Sequence, residues 1–122
     1  MGYESKIYIV KKSSCTLLNE GSKVYAQEIA SFNLSTVYSI STVLQKMPKT
    51  DCYFYEGNTH TRVLKDMYGE ELTECSVTYL ADLIQKEIDD GDNYWRYPLI
   101  LVTLRELEKL NEGNIVCLHY GY

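Results

Sequence analysis

The stretch PLILVTLRELEKLNEGNIVCLHY, from Pro98 to Tyr120, contains the two patterns that decide the fold. Its first half repeats a leucine every three residues with charged residues between, the spacing of an amphipathic helix, and Pro98 suits the first turn of that helix. Gly113 suits the left-handed position that ends such a helix. Residues 115–120 are a continuous apolar run typical of a strand. This stretch therefore predicts a helix followed by a strand.

Two further helices are predicted upstream. After Ser76, apolar residues recur at helical spacing as far as Ile88, and residues 90–93 end the pattern. An earlier set runs from Ser35 to Pro48, with Asn33 or Ser35 available to cap it and the proline to stop it.

Runs rich in β-branched and aromatic residues predict strands before and between these helices, over residues 3–12, 23–32, 51–56, 59–64 and 71–75. Ile29 breaks the alternation of its run, which indicates a bulge or an early end there. Gly57-Asn58 suits the tight turn of a hairpin. The order predicts an α+β fold: a mainly antiparallel sheet of five or six strands, with two or three helices packed on one face. Because the last run is apolar, we expect it inside the sheet rather than at an edge.

Composition excludes several classes of protein. The 122 residues have the length and apolar content of one globular domain, which we expect to span residues 1–122. The net charge of −5 is spread along the chain, which argues against general nucleic-acid binding, since that requires a basic patch. The chain shows no secretory signal and no long apolar run, so we expect a cytoplasmic protein, no membrane contact and free thiols in its four cysteines.

Candidate catalytic and metal-binding residues are few. Cys117 and His119 share one face of the last predicted strand and could form a thiolate–imidazolium pair, but a buried structural cysteine is the more frequent arrangement. Cys52, His60 and Cys75 could join them around a metal, yet the spacings match no structural zinc pattern. We therefore expect no catalytic residues, no metal and no cofactor.

The segment Tyr94-Trp95-Arg96-Tyr97 is the strongest candidate for a ligand-binding site. Aromatic rings, a guanidinium and a helix N-terminus are what a site that stacks a base and holds a phosphate requires. The alternative is that the aromatic residues anchor the helix while Arg96 extends to water, which is the more frequent arrangement. Arg62 on the predicted hairpin adds a second cation if the two segments meet.

Three parts of the chain, Met1–Val10, Asp66–Glu70 and Leu118–Tyr122, resemble small uncharacterised proteins of Gram-positive bacteria and their phages and prophages. The resemblance implies a setting and no catalytic motif. Small phage proteins without such motifs often bind a host protein or a nucleotide signal of host defence.

The leading hypothesis is therefore a non-enzymatic, self-associating anti-defence protein that sequesters a nucleotide immune signal in the host cytoplasm. The candidate ligand-binding residues are Tyr94, Trp95, Arg96, Tyr97 and Arg62. The alternatives are an inhibitor that binds a host protein, such as a CRISPR or other defence effector, and a small Cys/His-dependent enzyme. The 12 tyrosines fit either sheet packing or a binding surface.

Overall fold

A computed structural model describes residues 5–17, 24–34, 39–56, 61–63, 71–91, 94–110 and 114–121. The strands within these ranges are β1 (Ser5–Leu17), β2 (Val24–Asn33), β3 (Cys52–Glu56), β4 (Thr61–Val63), β5 (Thr73–Ser76) and β6 (Ile115–Gly121). The helices are α1 (Ser39–Gln45), α2 (Val77–Asp89) and α3 (Arg96–Leu110). The Gly57-Asn58 turn, His60 and the Asp66–Glu70 segment lie outside the described residues.

The six strands form one sheet in the order β4-β3-β2-β1-β6-β5. Every neighbouring pair is antiparallel except β2 and β3, which run parallel and are connected through α1. The predicted α+β class and mainly antiparallel sheet are confirmed, and β6 lies inside the sheet as expected. The irregularity at Ile29 is a bulge, because Ile9 pairs with Ala30 and Val10 with Glu28.

The sheet curls until β5, at one end, meets the segment that leads into β3, the strand next to the other end. Two backbone hydrogen bonds join the segment that leads into β3 to β5 and to Leu72, the residue before β5. Thr50 N–H donates to the Leu72 carbonyl at 2.9 Å, and Glu74 N–H donates to the Pro48 carbonyl at 2.9 Å. Lys49 and Thr73 form an antiparallel bridge between these bonds. We call this contact the seam.

Curling gives the sheet two buried faces. The outer face carries Ile7, Ile9 and Cys117 and packs against the three helices. The inner face forms a second core, whose buried members are Tyr8, Val10, Ala26, Cys52, Phe54, Val63, Leu72 and Leu118. The ring centres of Tyr8 and Phe54 lie 4.6 Å apart, although β2 lies between the strands that carry them. This distance requires a strongly curved inner face. No helix within the described residues is long and apolar enough to cross a membrane.

Local signals explain the helix boundaries. Ser76 caps α2, and its hydroxyl accepts a hydrogen bond from Tyr79 N–H at 3.0 Å. Pro98 lies in the first turn of α3, whose inward residues Ile100 and Leu104 are fully buried. Both helices confirm the periodicity predictions, and their packing on the outer face positions the start of α3 beside the end of β2.

Candidate ligand-binding groove

A groove of about 400 Å³ lies between the start of α3 and the open end of the β1–β2 hairpin. From α3 and the residue before it come Trp95, Arg96 and Leu99; the strands contribute Lys6, Tyr8, Ser31, Phe32 and Asn33. None of the described residues that line the groove is acidic. Although the chain has a net charge of −5, the described groove lining contains two cationic side chains, Lys6 and Arg96.

Trp95 and Arg96, two of the predicted site residues, lie side by side in this groove. The indole of Trp95 is 64% exposed, although a large aromatic side chain is usually mostly buried. The guanidinium carbon of Arg96 lies 5.0 Å from the centre of the indole ring, within the range of a cation–π contact. An exposed aromatic face therefore adjoins a fixed positive charge.

The neighbouring tyrosines have a different role. Tyr97 is 1% exposed and belongs to the core beneath the helices, and the half-buried Tyr94 meets it edge to face at 5.1 Å between ring centres. Neither ring lines the groove. Anchoring and binding were alternative interpretations of this segment, and the structure divides its residues between them: the two tyrosines anchor the helix, and Trp95 and Arg96 face outward.

Arg62 lies on β4, where its backbone pairs with Tyr55. β4 is the terminal strand of the sheet, and β3 separates its backbone from β2, which lines the groove. Among the described lining residues, the cation besides Arg96 is Lys6, which the sequence patterns did not indicate. Lys6 and Arg96 are 90 residues apart in the sequence, and no local pattern connects them.

The helix N-terminus supplies fewer donors than its sequence suggests. Tyr97 N–H already donates to the Tyr94 carbonyl at 3.0 Å, and Pro98 has no N–H. Positive charge in the groove therefore comes mainly from the Arg96 and Lys6 side chains rather than from backbone amides of α3.

Cys117 and His119 do share one face of β6, as predicted, but both are buried under the helices. Cys117 lies directly opposite Cys75, and a hydrogen bond with Cys75 together with burial raises the pKa of the Cys117 thiol well above 9.0. His119 is within 2.9 Å of the Ser5 hydroxyl through its Nε2. A buried thiol held in its neutral form is the opposite of an activated nucleophile, so the geometry favours a structural role for this pair.

A polar cluster at the seam was not predicted. Lys12 Nζ donates to Glu74 at 3.1 Å and to Asp51 at 3.3 Å, and Thr50 Oγ1 donates to the other Glu74 oxygen at 2.7 Å. Burial is the main cause that raises the pKa of the Cys52 thiol to about 11, although Thr50 and Lys12 oppose it.

Potential metal ligands converge only in part. Asp51, Cys52 and Glu74 place ligand atoms within 4.8 Å of one another, but the Lys12 ammonium already forms ion pairs with both carboxylates. Cys75 and Cys117, considered earlier as metal ligands with Cys52, lie on the opposite face of the sheet from it. The seam cluster is therefore best described as an ion-pair network that ties β1, β3 and β5 together.

Comparisons with protein-family models, with curated proteins and with solved structures found no match to this chain. The residues and geometry of the groove are therefore the basis on which a function can be inferred.

Proposed function

We propose that this chain is a non-enzymatic binding protein whose groove holds a nucleotide. The observation that supports this most directly is the exposed indole of Trp95 beside Arg96, in a groove that Lys6 also lines and whose described lining residues include no acid. A planar base stacks on an exposed aromatic ring, and phosphate oxygens accept charge-assisted hydrogen bonds from guanidinium and ammonium groups.

Sequestration is the role we infer for this binding, in line with the resemblance to small phage proteins. The groove is open, and the buried Cys117 and His119 are not among the described residues that line it. A ligand bound there meets groups suited to holding it and no activated nucleophile among the described lining residues. In the cytoplasm of an infected cell, such a protein removes a nucleotide signal of host defence from solution.

A host protein is the second candidate partner, and one observation favours it. Three apolar side chains at helical spacing, one just before α3 and two within it, are each more than half exposed: Trp95, Leu99 and Val102. Exposed apolar stripes of this kind are typical of surfaces that bind another protein. The two functions use overlapping surfaces but respond differently to mutation.

The test uses the fluorescence of Trp95, the single tryptophan of the chain. Nucleoside monophosphates, cyclic mono- and dinucleotides and ADP-ribose are titrated into the protein, and calorimetry measures each affinity. We expect at least one nucleotide to quench the indole and to be recovered chemically unchanged after denaturation. Trp95→Ala should weaken its binding roughly 5- to 150-fold, because stacking of one base contributes about 1–3 kcal/mol.

Arg96→Ala should lower the affinity for the same ligand and reduce the salt dependence of its binding, because a phosphate contact is lost. Leu110→Ala is the matched control, because Leu110 is exposed on α3 but does not line the groove. If no nucleotide in the panel binds, the proposed function is wrong. Loss of a host-protein interaction in Val102→Ala, with nucleotide binding absent, would establish the second candidate instead.

A further inference from the structure

We infer that the groove recognises the base of its nucleotide through the free main-chain edge of β2 at Ser31 and Asn33. This inference rests on the proposed function and specifies how that site selects its ligand. The groove touches the three successive residues Ser31, Phe32 and Asn33. Because successive side chains of a strand point to opposite faces, a groove that touches all three follows the edge of β2.

The direction of the backbone groups follows from the pairing with β1. Leu34 N–H donates to the Ser5 carbonyl at 2.8 Å, which continues the register in which Phe32 pairs with Ile7. In an antiparallel pair, alternate residues direct both their N–H and their C=O toward the partner strand. Leu34 and Phe32 therefore face β1, and the N–H and C=O groups of Ser31 and Asn33 point away from it.

No other described strand occupies that side of β2 at these positions. β3 pairs with β2 only at Val24 and Tyr25, at the other end of the strand. Ser31 and Asn33 are both exposed, and the groove opens beside them. Two main-chain donor–acceptor pairs, roughly 7 Å apart for residues two positions apart in a strand, are thus presented to a ligand.

A nucleobase complements this arrangement. Adenine and guanine each carry a donor next to an acceptor on one edge, which matches the adjacent N–H and C=O of one extended residue. The base then has its edge on β2 and its face on Trp95, while Arg96 and Lys6 receive the phosphate. A purine presents the indole with two fused rings, so we expect purine nucleotides to bind more tightly than pyrimidine nucleotides.

Ligand chemistry tests the inference first. AMP, GMP, CMP, ribose 5-phosphate and N6,N6-dimethyl-AMP are compared by calorimetry. We expect a purine nucleotide to bind best and ribose 5-phosphate at least tenfold more weakly. If AMP is the preferred purine, dimethylation, which removes the donor of its base edge, should weaken binding roughly tenfold. If GMP is preferred, N1-methyl-GMP replaces the dimethyl compound.

A pair of variants at one position tests the protein side. Ser31→Pro removes the outward N–H, and an edge strand tolerates proline where that group faces solvent. Ser31→Ala removes the hydroxyl and keeps the N–H. We expect Ser31→Pro to keep the circular dichroism and cooperative unfolding of the parent protein but to bind the purine nucleotide roughly tenfold more weakly than Ser31→Ala.

The failures are distinguishable. If ribose 5-phosphate binds as tightly as AMP and GMP, or if the base-edge methylations leave the affinity unchanged, recognition of the base by the edge of β2 is refuted while anion binding stands. Recognition by the edge of β2 is also refuted if folded Ser31→Pro binds as tightly as Ser31→Ala and Asn33→Pro binds as tightly as Asn33→Ala. Absence of binding by every nucleotide instead refutes the proposed function.

Discussion

Replacing Glu74 by alanine tests whether the polar contacts at the seam stabilise the curled sheet. Its carboxylate accepts a hydrogen bond from Lys12 at 3.1 Å and another from Thr50 at 2.7 Å, and its side chain is 24% exposed. A hydrogen bond to a charged group contributes about 1.5–3 kcal/mol when well shielded, and partial exposure reduces this. We expect Glu74→Ala to lower the free energy of unfolding by about 1.5–2.5 kcal/mol.

Asp51 provides the matched control. It binds the same ammonium at 3.3 Å, but its side chain is 59% exposed. Exposed ion pairs contribute about 0–1 kcal/mol, so Asp51→Ala should cost less than half as much as Glu74→Ala. Urea unfolding measures both, and a double-mutant cycle with Lys12→Met and Glu74→Gln isolates the pair. Equal costs for the two carboxylates, or a cost below about 0.5 kcal/mol for Glu74→Ala, would contradict this account of the seam.

The pH dependence of stability tests the same network. Burial disfavours the charge of Lys12, but Glu74 and the other negative groups around it outweigh that effect and raise the pKa of Lys12 above 10.5. The pKa of Asp51 falls below 3.8 despite partial burial, because Lys12 donates to it. The Lys12 contribution is therefore present below pH 10.5 and lost as the pH rises through its raised pKa. The Asp51 contribution is present above pH 3.8 and lost as the pH falls through its lowered pKa.

Three further predictions concern single side chains. Cys52 should be alkylated far more slowly in native than in urea-unfolded protein at pH 8, because a thiol with a pKa of about 11 has roughly 100-fold less thiolate than one at 9.0; fast native alkylation of Cys52, followed by mass spectrometry, would contradict this. Phe54→Ala should destabilise the fold by about 3–5 kcal/mol in urea unfolding, whereas the exposed Tyr55→Ala on the same strand should cost less than about 1 kcal/mol; similar costs would show that the inner face is not a core. Ser76→Ala should cost about 1 kcal/mol by the same measurement, with Ser76→Asp close to the parent; no loss in Ser76→Ala would rule out the cap.

Elements governed by neighbouring residues were predictable. The periodicity after Ser76 and after Pro98 gave both long helices, and the broken alternation at Ile29 indicated the bulge that the β1–β2 register contains. These signals are local because a helix or a strand repeats every two to four residues, so the residues that form it are adjacent in the chain.

The candidate site was only partly predictable. Trp95 and Arg96 stood out because aromatic and cationic residues are clustered there, but the same pattern included Tyr97, which is buried. Whether an aromatic ring faces the core or the solvent depends on what packs against it. Lys6 lines the groove because α3 packs beside the end of β2, and no pattern in the sequence indicates that packing.

Patterns in the sequence predict the α+β class, the helices, the strands at both ends and the segment, Tyr94–Tyr97, that carries the aromatic–arginine pair. Only the folded chain shows that the sheet curls and that Lys12 and Glu74, 62 residues apart, meet at its seam. The same holds for the edge of β2 at Ser31 and Asn33, where no other described strand than β1 pairs with it. Local periodicity indicates which face of a helix or strand is apolar. Whether a sheet closes on itself, and which strand edges remain unpaired, depends on contacts between segments that are distant in the sequence.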